Sequence, residues 1–187
     1  MALKVMSFGR MAVLVIASTF GACGPSLADP YPLRESAVKA AFLFKFGSFV
    51  EWPRDVFPKP DTPMVIGVAG DDAVANDLES LIASRTAEGR PIVARRVNDL
   101  GRTGDIHILF VGNQRETRFR EALLSLKGPI LVVTDQDNGL RLGSVINFSP
   151  VDGRVRFSVS LAAAEARSLK LSARLLAVAQ VVEGANR

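Results

Sequence analysis

The chain is poor in the residues from which reactive sites are usually assembled: 187 residues hold one cysteine, one histidine, one tryptophan and one tyrosine. The single histidine, His107, cannot form a His-rich metal site, and it sits inside an apolar run where a packed residue is expected. Cys23, the lone cysteine, leaves no internal disulfide to form. There is no G-x-S-x-G elbow and no P-loop, and "GVAGDD" falls short of G-x-G-x-x-G, so no nucleotide-phosphate cradle is written in the sequence. "DQDNG" starts like a calcium loop, but Ile146 stands where its closing carboxylate would be, and the stretch reads as a turn. Without a nucleophile, a metal set or a partnered base, neither an enzyme nor a cofactor is expected.

Long hydrophobic runs are also missing. The longest lies at the start, where Lys4 and Arg10 precede Met11 to Ile16 and the small residues of "ASTFGACGPSLA". This is the pattern of a secretory signal, too short and too soon broken by Gly and Pro to span a bilayer. Two cleavage readings compete. Cutting after Ala28, with Ser26 and Ala28 as the small residues, makes 1–28 a signal peptide and 29–187 one soluble domain. Lipidation of Cys23 in "FGAC" would tether the protein instead, but Phe20 suits a lipobox poorly and little spacer follows. The soluble form is favoured. Cleavage after Ala28 removes two of 23 basic residues against 19 acidic ones and lowers the formal charge from +4 to +2, which excludes a basic-protein case for nucleic-acid binding.

Aromatic residues make up only 7% of the chain, yet "FLFKFGSFVEWP" (42–53) holds five. Phe42, Phe46 and Phe49 recur at steps of four and three, one face of a helix, and the helix formers of "SAVKAA" upstream extend it over 34–51. Phe44 then points almost opposite Phe42, which makes the helix apolar on both sides and buried on two sides. Trp52 and Pro53 are expected to end it. One side packs on the domain; the other lies under a following loop or against a second subunit or partner. On the partner reading, Phe44, Phe49 and Trp52 form the association surface while Phe42 and Phe46 belong to the core.

Beyond this segment the periods alternate. "MVIGVAG" (64–70), "DIHILFVG" (105–112) and "PILVVTD" (129–135) are nearly continuous in apolar residues, as strands covered on both faces are. Between them, 71–84 and 113–126 show helical periodicity, with Asp71 and Asn113 as N-caps, and "PIVARRV" (91–97) adds a strand. The order strand, helix, strand, strand, helix, strand predicts an α/β fold with a wound, mostly parallel sheet. A C-terminal β-hairpin should turn at Asp152 and Gly153, and "LAAAEARSLKLSARLLAVAQVV" reads as terminal helices in two pieces, interrupted between Ser168 and Ser172. Ligands of such sheets sit beyond the carboxyl ends of the strands, here Gly70 and Asp71, Gly112 and Asn113, Thr134 and Asp135. These positions form a candidate ligand crevice; ordinary strand-to-helix turns would look the same.

"KAAFLFKFGSFVEWP" resembles the leading signature of the YfiR/HmsC-like periplasmic family, and the likeness continues through "IGVAGDD", "GRPIVARRV", "DIHILFVG", "RFREALLSLKGPILVVTD", "VINF", "RVRFSVS" and "SARLLAVAQVV". The resemblance implies a Rossmann-like core, a homodimer and a periplasmic location. It further implies a repressor that binds the sensing region of an inner-membrane diguanylate cyclase, lowering cyclic di-GMP and biofilm formation, with an outer-membrane lipoprotein as a further partner. Relatives also stand beside other membrane receptors or kinases, so a small-ligand-binding accessory of such a sensor is the alternative. Asp105 occupies a position where the family often has cysteine, and "FSVS" (157–160) replaces an asparagine-containing ending. Redox control through disulfides is therefore not expected here.

Overall fold

The computed structural model describes residues 34–83, 86–87, 89–112 and 116–184. Fifteen elements follow in chain order. They are α1 (Glu35–Phe46), β1 (Val50–Glu51), β2 (Met64–Ala69), α2 (Asp72–Ile82), β3 (Thr86–Ala87), β4 (Arg90–Arg96), β5 (Ile108–Val111), α3 (Glu116–Ser125), β6 (Leu131–Thr134), β7 (Ile146–Val151), β8 (Arg154–Ser160), α4 (Leu161–Ala166), β9 (Lys170–Leu171), α5 (Ala173–Val178) and β10 (Val181–Glu183).

Eight strands form one sheet in the order β10-β8-β7-β6-β5-β2-β4-β3, and β1 pairs separately with β9. The central strands β7, β6, β5, β2 and β4 run parallel. β2, β5 and β6 are buried along their whole length, the consequence of continuous apolar runs that leave no polar face for water. Ile66, Val68, Ile108, Phe110, Leu131 and Val133 face a core shared with α1 and α2. Val65, Ala69, Leu109, Val111 and Val132 face the opposite core with Phe119 and Leu126, at α3. The wound, mostly parallel α/β sheet read from the sequence is thus the fold.

Local signals explain most boundaries. Asp71 caps α2 by accepting a hydrogen bond from the Val74 amide at 2.9 Å, and Val74, Ala75 and Leu78 form its buried stripe. The β7–β8 hairpin turns on Asp152 and Gly153, both with positive φ (49° and 69°), the two-residue turn whose twist suits antiparallel strands. Ser160 and Ser172 cap α4 and α5 through the Ala163 and Leu175 amides.

Two expectations are corrected. α1 stops at Phe46 instead of running to Glu51: Ser48 and Phe49 donate to the Lys45 and Phe46 carbonyls in a tight turn, and Val50–Glu51 pair with Leu171 and Lys170. Tertiary pairing of β-prone Phe49 and Val50 outweighs the helical period, and Phe49 lies off the helix. Likewise, the second terminal helix ends at Val178. Gln180 donates to the Phe157 carbonyl at 2.8 Å, and the β-branched Val181 and Val182 extend parallel to β8 as a new edge strand.

Candidate functional site

The winding of the sheet creates a switch point between β2 and β5. After β2 the chain turns toward α2 on one face; after β5 it turns toward α3 on the other, so a crevice opens between the two carboxyl ends. Gly70 ends β2 with φ of 77°. Gly112 ends β5 so close to its neighbour that an added Cβ would stand 3.0 Å from the Asp71 Cβ. A cleft of about 600 Å³ lies at this end, walled by Gly70, by Asn98, Asp99 and Gly101 from the segment after β4, and by Glu121 and Ser125 of α3.

The six crevice positions expected from the sequence separate accordingly. Gly70 lines the cleft. Asp71 spends a carboxylate oxygen on the α2 cap, and Gly112 is buried. Asn113 lies outside the described residues. Thr134 is fully buried, its hydroxyl donating to Asn147 Oδ1 at 2.6 Å and lying 3.1 Å from the Ser144 hydroxyl. Asp135 accepts a hydrogen bond from the buried Lys39 ammonium at 2.7 Å. Thr134 and Asp135 therefore serve packing at this end of the sheet, because the 135–144 loop folds back over it. The lining from Asn98 to Gly101 was missed; "NDLG" carries only an ordinary turn signal.

A second cleft, also of about 600 Å³, lies where β1 leaves α1, and Phe49, Trp52, Phe57, Glu51, Arg54 and Ser172 line it. Its floor is aromatic. The Trp52 ring meets Phe57 and His107 edge-on, each at 6.0 Å, while Phe57 stacks on His107 at 4.6 Å. The Arg90 guanidinium covers the Phe57 ring at 4.2 Å and donates to the Lys59 and Thr62 carbonyls. His107 is 7% exposed and its Nδ1 accepts from the Val65 amide at 3.1 Å, so the neutral ring is the form that fits. Burial pushes its pKa below the ordinary value; Asp105 and a hydrogen bond to the Val56 backbone oppose that, and Arg90 adds to it. The Trp52 Nε1 is buried without a hydrogen-bond partner among the described residues.

Of the three association residues expected from the sequence, Phe49 and Trp52 meet at this cleft and remain partly exposed. Phe44 does not. It is 8% exposed, inside the core that α1 and α2 share, so the chain's own α2 covers the second side of the aromatic helix. Phe46 is core as expected, and the partly exposed Phe42 packs with it against Phe148 and Phe157.

The expected cleavage and lipidation positions, Ala28 and Cys23, lie outside the described residues. Among the described residues no group of three His, Cys, Asp or Glu side chains could hold a metal ion. None of their helices is long and apolar enough to cross a membrane. Compared with curated proteins, the chain finds no match. The sequence profile of the YfiR/HmsC-like family matches residues 36–180, spanning the domain from α1 to the start of β10.

Proposed function

The chain belongs to the YfiR/HmsC-like family, and from that premise we propose that it is a periplasmic regulatory protein that binds an inner-membrane diguanylate cyclase and holds it inactive. The family match from α1 nearly to the last strand carries this reading. On it, residues 1–28 are a signal peptide removed after Ala28, and the mature domain acts by contact. The contact surface is the cleft at Phe49 and Trp52, where two aromatic rings are at once partly exposed and held by neighbours, as anchors of protein interfaces are. A second copy of the chain and an outer-membrane lipoprotein are the further partners of the scheme. Repression then requires that the releasing signal bind the free and engaged states with different affinity.

The test is intracellular cyclic di-GMP in a strain lacking the gene. A rise on deletion, reversed by the wild-type gene, is expected; an unchanged level would overturn the reading.

The strand-end cleft beside Gly70 favours a second reading, a small-ligand-binding accessory of another membrane receptor or kinase system. It predicts a higher melting temperature with an envelope metabolite, about 2.7 kcal/mol of stabilisation at a hundredfold excess over Kd. A metabolite screen without any shift would remove it.

A further inference from the structure

The β7–β8 hairpin projects past its neighbours, and its two outer edges are treated differently. β6 pairs with β7 only at Ile146 and Asn147, and β10 pairs with β8 only from Ser158 to Ser160. Residues 148–151 and 154–157 are therefore paired mainly with each other. Val151 and Arg154 close the two-residue turn, a position where the partners exchange backbone hydrogen bonds, so the next pair, Pro150 and Val155, points its backbone groups outward. Gln180, donating to Phe157, shows the same outward direction two residues along.

On the β7 side the outward position is Pro150, which has no N–H to offer: that edge is blocked. On the β8 side it is Val155, which offers both N–H and C=O, and the described residues supply no backbone partner for either. This second edge is also charged in one sign. Arg154 and Arg156 flank Val155, point to the face opposite the buried Phe157, and are exposed; neither makes an ion pair or hydrogen bond among the described residues. The chain's other exposed arginines in strands are spoken for, Arg95 by Asp105 and Arg96 by Asp72 and Glu79.

A strand added at this edge would hydrogen-bond Val155, and its residues on either side would lie about 5 Å from Arg154 and Arg156 on the same face. We propose that the free edge of β8 at Arg154–Arg156 is a docking site for an extended acidic segment of a partner protein, carrying two carboxylates two residues apart. Each guanidinium takes one carboxylate and the backbone of Val155 sets the register. The complementarity of charge favours an acidic strand over a second copy of this chain, whose own edge presents the same two arginines.

The probe is a fluorescein-labelled peptide of about ten residues, alternating valine and glutamate, long enough for one strand. Its anisotropy is titrated with the purified mature domain. Saturable binding is expected, weakened at least about tenfold by R154Q/R156Q or by glutamine in place of glutamate. Circular dichroism and melting temperature should not change in R154Q/R156Q, and V155P should abolish binding even with both arginines present. No saturable binding, or binding indifferent to the arginines, would overturn the proposal. So would arginine-dependent binding to phosphatidylglycerol vesicles without peptide binding, or a dimer that V155P dissociates. Each of these leaves the cyclic di-GMP test standing on its own.

Discussion

The Lys39 ammonium lies 2.7 Å from the Asp135 carboxylate and joins the first turns of α1 to the carboxyl end of β6, a span of 96 residues in sequence. Glu35, one helical turn before Lys39, accepts from the same ammonium at 2.7 Å. Burial works against the charged lysine, but the hydrogen bonds it donates to Asp135 and Glu35, with their negative charges, outweigh it and its pKa is raised. A carboxylate placed where a ligand was expected thus holds the fold together.

Lys39→Met removes the ammonium from which both Asp135 and Glu35 accept, and a loss of about 1.5 to 3 kcal/mol is expected, the range for hydrogen bonds to charged groups. Asp135→Asn, alone and combined with Lys39→Met, completes the cycle. Denaturant melts of the two single variants and the double variant measure the coupling, and additive losses would show that the pair is not a unit.

The loop beside Asp135 makes a sharper steric demand. A Cβ on Gly139 would collide with the Thr134 hydroxyl and the Asn147 side-chain oxygen, which are hydrogen-bonded to each other. Gly139→Ala should therefore destabilise by about 1 to 3 kcal/mol. At Gly153, where a Cβ meets nothing within 4 Å, the same change carries only the backbone strain of a positive φ. Thermal melts of the two variants should rank them in that order.

This region shows what the sequence could and could not convey. The apolar runs of β2, β5 and β6, the Asp71 cap and the Asp152–Gly153 turn are local signals, and each was legible before any fold was known. The fate of Thr134 and Asp135 depended on Lys39, Ser144 and Asn147, all distant in sequence, and no local pattern announces such a meeting. Phe44 is the same case. Its helical phase put it opposite Phe42, but only α2 decided whether that side met the chain itself or another molecule. Val50 paired with Leu171 across 121 residues for the same reason, ending α1 before its period did.

His107 makes the fold sensitive to acid. Its neutral ring accepts from the Val65 amide, and protonation puts two donors face to face. Because burial holds its folded-state pKa below the unfolded value of about 6.5, the unfolded chain binds the proton more readily. The contribution of the neutral ring is fully present above about pH 6.5 and is lost as the pH falls below it, toward the folded-state pKa. Melting temperature should fall between about pH 8 and about pH 5.5, and fall less in His107→Gln, which keeps an acceptor without a proton to gain. Equal falls would assign the sensitivity to the carboxylates.

Phe44 and Phe49 separate folding from association. Phe44→Ala removes a ring from the core that α1 and α2 share and should cost about 3 to 5 kcal/mol, lowering the melting temperature sharply. Phe49 is partly exposed at the cleft mouth, so Phe49→Ala should cost only about 1 kcal/mol, the ordinary loss for a site that is not enclosed. If the cleft holds the membrane partner, Phe49→Ala fails to restore low cyclic di-GMP in the deletion strain although it accumulates to wild-type levels in the envelope. Full repression by a stable Phe49→Ala protein would move the contact away from the aromatic cleft. The free β8 edge, whose arginines can be changed without touching either core, would then be the surface to examine.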